Sequence, residues 1–275
     1  AGTLALTNMA NNGTLELTGA TDATGAVTVT MKDASASTDT FNIVTKVTAA
    51  DITFAGVINV ANVENINISA LDTNVDEDAD NITYEAGDRD KATLTLTADK
   101  AKTITVTGNS DVDLTLTGST AVTLIDGSSM TGALKATTAI STSAATIKGG
   151  SGNDNLTATS DNDVLIGGAG NDTLIVTSGN LVQLHGGAGK DTYEFGASSN
   201  QNAYATINGT KAELSGDIIK FTTPLTSFND AKIVLGSTAV FQDYVNEAAK
   251  GGATNGVSYF TWAGDTYLVQ DNNAS

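Results

Sequence analysis

Four nonapeptide segments of this 275-residue chain place aspartate sixth and an apolar residue eighth: GGSGNDNLT from Gly149, ATSDNDVLI from Ala158, GGAGNDTLI from Gly167 and, after a looser stretch, GGAGKDTYE from Gly186, all but the second opening on paired glycines. The unit is G-G-x-G-x-D-x-U-x, with U apolar. Its glycines allow positive φ and close backbone approach, so the chain can turn tightly with carbonyl oxygens directed inward. The sixth residue adds a hard anionic oxygen. The eighth, Leu156, Leu165, Leu174 or Tyr193, sits on a short strand and points into the structure. Carbonyl and carboxylate oxygens repeated in this way are ligands for a hard divalent cation, and the period marks a parallel β-roll.

Two such units make one coil, so loops on one edge should recur about every 18 residues. Asp154 to Asp172 is 18 residues and Asp172 to Asp191 is 19, so three loops stack on one side. Between stacked loops, two aspartates and several carbonyls can supply the six to eight oxygens that Ca²⁺ prefers, and three loops enclose two such gaps. On the opposite edge, Ala158–Asp163 and Val176–Leu181 lack the paired glycines, and Leu181 stands where the second loop needs its aspartate. Weak calcium binding or none is expected there. The ten-residue step from Val176 to His185 implies a local bulge.

These nonapeptides resemble those of the RTX family of type I secreted bacterial proteins. The resemblance implies two calcium sites. One would take the carbonyls of Gly149 and Ser151 with Asp154, and those of Gly168 and Gly170 with Asp172. The other would take Gly167, Ala169 and Asp172 with Gly187, Gly189 and Asp191.

Composition agrees with a cation binder. The formal charge is -18 and the pI near 4.1, which argues against nucleic-acid binding, since that needs a basic face. Arg89 is the single arginine, and the absence of cysteine removes disulfide and thiolate chemistry, leaving metal to replace covalent staples outside the cell. No apolar run approaches the ~18 residues of a membrane span. The opening AGTLALTNM is not a signal peptide and suggests a fragment of something longer.

The elements that must position the loops are strands. With 44 threonines and one proline, the chain alternates apolar and hydroxyl residues in TLELT, AVTVT, TFNIV, TLTLT, TITVT and DLTLT. From Leu94 the strand centres step by ten through Ile104, Leu114, Leu124 and Leu134, after which the nonapeptides continue the series. The expected class is all-β: a parallel β-solenoid over 92–148, a calcium β-roll over 149–196, and a C-terminal cap over 197–275 with one helix and a β-hairpin. Residues 1–91, with strand centres 11 to 17 apart, fit a looser solenoid or a separate β-sandwich. The acidic segment NVDEDADN at 74–81 has the D-x-D-x-D start of a calcium loop but lacks its glycine and terminal glutamate, and reads as a solvated loop.

Past Gly196, ATINGTKAELSGDIIKF resembles the segment that follows the nonapeptides in RTX proteins and closes the roll. STAVFQDYVNEAAKGG predicts a helix capped by Ser237 or Thr238, with Phe241, Tyr244, Val245 and Ala248 on one face. VSYFTWAGDTYLVQD predicts a hairpin turning at Ala263–Asp265, its aromatic residues packed on the helix. This tail, together with VENINI at Val63–Ile68, is similar to RTX-type surface-layer proteins. That similarity implies a secreted, cell-surface structural protein that self-associates into a lattice on extracellular Ca²⁺, with a cell-surface glycan or lipopolysaccharide as an anchor. A calcium-dependent RTX adhesin, or the non-catalytic module of an exoenzyme or toxin, is the alternative. Catalysis has little support, because the one histidine, His185, sits on a strand and no H-E-x-x-H, P-loop or Ser-His-Asp set is present.

Overall fold

The computed structural model describes residues 3–18, 25–33, 35, 37–48, 51–73, 89–138, 143–196, 205–210, 212–223, 227–229, 231–250 and 256–270. The acidic segment at 74–81 lies outside them. The chain divides into two compact units: residues 1–194 with 198–220, and residues 195–197 with 221–275.

The larger unit is a two-sheet solenoid. Strands alternate between a ten-stranded and a nine-stranded sheet, and neighbours within each sheet are two strands apart in sequence. The pairings among the described residues of these sheets are parallel, as coiling in one sense requires. The described strands from Leu4–Met9 to Asn65–Asp72 belong to the same two sheets as those of the nonapeptides.

Alternation along each strand sends one set of side chains into the space between the sheets. Phe41, Ile66, Ile104, Ile125, Ile147, Leu165 and Leu184 stand in register from coil to coil and are all buried. On the facing sheet, Leu94 meets Leu114, and Leu156 meets Leu174. Burying one such side chain stabilises the fold by about 1.5–3 kcal/mol, so the stacks supply most of what orders the strands. Outward positions carry polar ladders, among them Thr97 to Thr117 and Asn67 to Asn42.

The ten-residue step fails at Leu124 and again at Leu134, which pairs with Val112 and not with Leu114. Leu124 pairs with Thr103 and faces outward, while Ile125 takes the inward place opposite Ile104. One extra residue has shifted the phase, and in a period of two that reverses every side chain. The extra residue expected after Val176 shows as a change of register, from 18 residues between Ala158 and Val176 to 19 between Val164 and Gln183, and Val182 re-enters the core. Past the nonapeptides, Ala205–Ile207 pairs with Val182–Leu184 and Ile218–Phe221 follows Thr192–Phe195, so this segment adds another coil.

The smaller unit holds the helix Phe241–Lys250 and the hairpin Gly256–Trp262/Asp265–Gln270. Its turn places Ala263 at φ 53° and Gly264 at φ 101°. Phe241 and Tyr244 pack edge-on or tilted against Phe260 and Trp262. The helix is not capped by Ser237 or Thr238. The Asp243 carboxylate accepts the Val240 N–H at 2.9 Å, while Asp243 N–H returns to the Val240 carbonyl, which starts the helix at Phe241, two or three residues later than the hydroxyls would.

Candidate metal centre

Each glycine-rich loop lies where a strand of the nine-stranded sheet turns toward the other sheet. Val164–Ala169 and Val182–Ala188 run in register to their ends, pairing Gly168 with Gly187 and Ala169 with Ala188. Gly168 at φ 120° and Gly187 at φ 104° hold conformations that a side chain would strain, and a Cβ on Gly187 would lie 2.1 Å from the Gly168 carbonyl oxygen. The loops therefore stack backbone on backbone. Asn153 and Asn171 tie their tips, each amide oxygen accepting the N–H of the next loop, from Asn171 and Lys190 at 2.7 and 2.8 Å.

Behind the tips run the sixth-position aspartates. Asp154, Asp172 and Asp191 are at most 1% exposed. Asp172 Oδ1 accepts the Asp154 N–H at 2.8 Å, and Asp191 Oδ1 accepts the Asp172 N–H at 2.9 Å. Asp154 Oδ1 accepts the Leu134 N–H, and its Oδ2 accepts the Gly150 N–H at 2.8 Å. The outcome is a column of carboxylates, one per coil, each with an oxygen fixed by backbone. Because they stand in a column, no three or more acidic or histidine side chains converge on one point among the described residues. The remaining donors must be main-chain oxygens.

The free oxygens test whether a cation fits. Oδ2 of Asp172 and of Asp191 are buried and meet no hydrogen-bond donor. A buried carboxylate oxygen without a partner is costly, by several kcal/mol in general, unless a proton or a cation reaches it. The gap between loops has the required lining. The position a Cβ would take on Gly149 lies 1.9 Å from Asp154 Oδ2 and 2.5 Å from the Gly167 carbonyl oxygen. At Gly167 the same position lies 2.1 Å from Asp172 Oδ2 and 2.6 Å from the Gly186 oxygen. Glycine thus keeps open a pocket where a carboxylate and the next loop's carbonyl approach each other. The residues present fit a hard cation.

Charge tells the same story. Burial, aided by the Asp111 charge, raises the Asp154 carboxyl to about 6 against its backbone hydrogen bonds. Burial together with Asp154 and Asp191 raises Asp172 to about 7. Asp191 is raised as well, by burial and by Asp217. Without a countercharge the charged form of the column is disfavoured.

The opposite edge differs. Asp163 is buried, but Ala145 N–H reaches its Oδ1 while Thr138 hydroxyl, Thr159 N–H and Ser160 N–H converge on its Oδ2. Its oxygens already hold four donors. The single histidine, His185, is half-buried on the strand Val182–Ala188.

The fold and this edge define a calcium-type β-roll. Residues 146–180 match the family model described as the RTX calcium-binding nonapeptide repeat, in four copies. The chain therefore carries RTX calcium-binding repeats, and Ca²⁺ is the cation they take. No curated protein matches the chain. The matched stretch ends just before Leu181, and the register of the next strand carries the roll on through Asp191.

Two features of the site escape the nonapeptide pattern. Asp217 continues the carboxylate column, its Oδ1 accepting the Asp191 N–H at 2.9 Å. Tyr193 turns its hydroxyl back to the loop, where it accepts the Gly186 N–H at 3.2 Å. The first could be found in Gly216-Asp217-x-Ile219, which repeats the aspartate and apolar spacing of Asp191-x-Tyr193.

Proposed function

We propose that this chain is a structural module of a secreted bacterial surface layer, in which extracellular calcium orders the roll and supports self-association into a lattice. The reading is carried by the unpartnered Oδ2 atoms of Asp172 and Asp191, buried beside main-chain oxygens of the facing loops. One ion would sit between the loops of Asp154 and Asp172, using carbonyls of Gly149, Ser151, Gly168 and Gly170. A second would sit between those of Asp172 and Asp191, using carbonyls of Gly167, Ala169, Gly187 and Gly189. Bound calcium would supply the countercharge and cross-link loops of high chain entropy. Affinities of roughly 10⁻⁴ to 10⁻³ M, usual for extracellular modules, would leave the roll unordered in the cell and ordered outside it.

The surface-layer role draws on the tail Thr238–Asn272 and its similarity to RTX-type surface-layer proteins, with a surface glycan or lipopolysaccharide as anchor. No helix among the described residues is long and apolar enough to cross a membrane. Electron microscopy of the full chain tests the role. Two-dimensional arrays that form on adding calcium and disperse with a chelator support it. A calcium-loaded chain that stays monomeric and binds a glycan overturns it in favour of an adhesin.

A further inference from the structure

The carboxylate column does not end with the last nonapeptide. Asp217 lies 26 residues beyond Asp191, yet it occupies the next position in register. Ile218 N–H donates to the Asp191 carbonyl just as Thr192 N–H donates to that of Asp172 and Thr173 N–H to that of Asp154. Asp217 Oδ1 accepts the Asp191 N–H as Asp191 Oδ1 accepts that of Asp172.

The gap this creates has its own oxygens. Asp191 Oδ2 and Asp217 Oδ2 are both buried without a hydrogen-bond donor, and Asp191 as a whole is 0% exposed. The position of a Cβ on Gly186 lies 2.1 Å from Asp191 Oδ2 and 2.5 Å from the Tyr193 hydroxyl. Beside Gly149 and Gly167 the second neighbour is the next loop's carbonyl oxygen, at 2.5 and 2.6 Å. Beyond Asp191 no fourth glycine-pair loop follows in the sequence, and beside Gly186 the phenol oxygen is the second neighbour, as the next loop's carbonyl is beside Gly149 and Gly167.

We propose that the gap between Asp191 and Asp217 is a further calcium site, with Asp191 Oδ2, Asp217 Oδ2 and the Tyr193 hydroxyl as its protein ligands and water completing the shell. This rests on reading the two preceding gaps as calcium sites. With three protein oxygens against the six to eight that calcium takes, the site is the most hydrated of the column and fills last. It ties the coil of Ile218–Phe221, which lies beyond the repeats, to the roll.

Asp217→Asn removes the charge but keeps an Oδ1 to accept the Asp191 N–H. Calcium bound at saturation by the full chain, measured by equilibrium dialysis and titration calorimetry, should fall by one ion relative to the parent, with the tighter constants within about twofold. Tyr193→Phe, which keeps the ring, should weaken only the last-filled site, about tenfold. Equal stoichiometry in the parent and Asp217→Asn overturns the inference while leaving the two-site reading intact. A parent that binds no calcium defeats both. Should Asp217→Asn fail to fold in calcium, as judged by circular dichroism, an unchanged weakest constant in Tyr193→Phe overturns the inference.

Discussion

Calcium binding to this roll should be coupled to proton release with a size fixed by the burial of two carboxylates. In the calcium-free fold, Asp172 titrates near pH 7 and Asp154 near pH 6. At pH 6, Asp172 is then ionised in about one molecule in eleven and Asp154 in about half, whereas at pH 8 both are almost fully ionised. A cation between their loops needs both charges, so its apparent affinity should be about 20-fold weaker at pH 6 than at pH 8. Loading should release about 1.4 protons at pH 6 and about 0.1 at pH 8, read for the column as a unit because its members titrate together. Calorimetry in two buffers of different ionisation enthalpy measures that release directly. The stability sign follows from the same shifts. A carboxyl raised in the fold above its ordinary 3.8 binds more protons folded than unfolded. Without calcium, the melting temperature should therefore fall as pH rises from about 4 through about 7. With saturating calcium that fall should flatten or reverse. Equal calcium affinity at pH 6 and pH 8, with no buffer dependence of the heat, would refute the buried-column argument.

Asp172→Ala should weaken calcium binding more than Asp154→Ala or Asp191→Ala, because Asp172 lies between the two gaps; equal losses in all three would show that it is not shared. Asp163→Asn should lower the melting temperature while leaving calcium stoichiometry unchanged, since its oxygens serve the Thr138, Ala145, Thr159 and Ser160 donors; loss of an ion would place a metal on that edge. Gly168→Ala forces a side chain into φ 120° with its Cβ 2.2 Å from the Gly150 oxygen, so calcium affinity should drop by at least tenfold in titration calorimetry. Leu174→Ala, which opens a cavity between the sheets in a side chain that is 0% exposed, should cost about 2–5 kcal/mol in denaturant unfolding with calcium present.

How much of this was legible in the sequence depended on whether a residue's role is local. The nonapeptide spacing located the loops and the carboxylates, because glycine turns and a coil of 18 or 19 residues leave a direct imprint on the chain. Alternation gave the strands, but the phase of alternation was readable only where no residue is inserted. Leu124 and Ile125 exchange faces because the extra residue in that coil is invisible to a count of apolar positions. Residues 1–91 leave two architectures open in the sequence because irregular strand spacing does not say which strands are neighbours. Asp217 stayed hidden for a related reason: its register with Asp191 is set by the coil, across 26 residues that include no glycine pair. The donors on Asp163 come from three separate segments, and no linear pattern gathers them.

The same edge of the solenoid solves one electrostatic problem in two ways along its length. Upstream of the roll, turn carboxylates find donors within the protein. Asp72 Oδ2 accepts the Asp90 N–H, Asp51 Oδ1 accepts the Lys91 N–H, Asp111 Oδ1 accepts the Ala133 N–H, and the Ser110 hydroxyl donates to the Asp90 carbonyl. Lys91 and Lys135 add ion pairs with Asp51 and Asp113. From Asp172 onward the second oxygen of each carboxylate loses its donor, while glycine brings main-chain oxygens toward it. Asp154, whose Oδ2 still accepts the Gly150 N–H, stands at the change from one regime to the other. The sheets and their apolar stacks continue across this boundary unaltered, so the difference lies in the turns alone. A solenoid built this way has coils that close on their own hydrogen bonds, followed by coils that leave buried carboxylate oxygens without a donor, and on the function proposed above calcium acts on that second stretch.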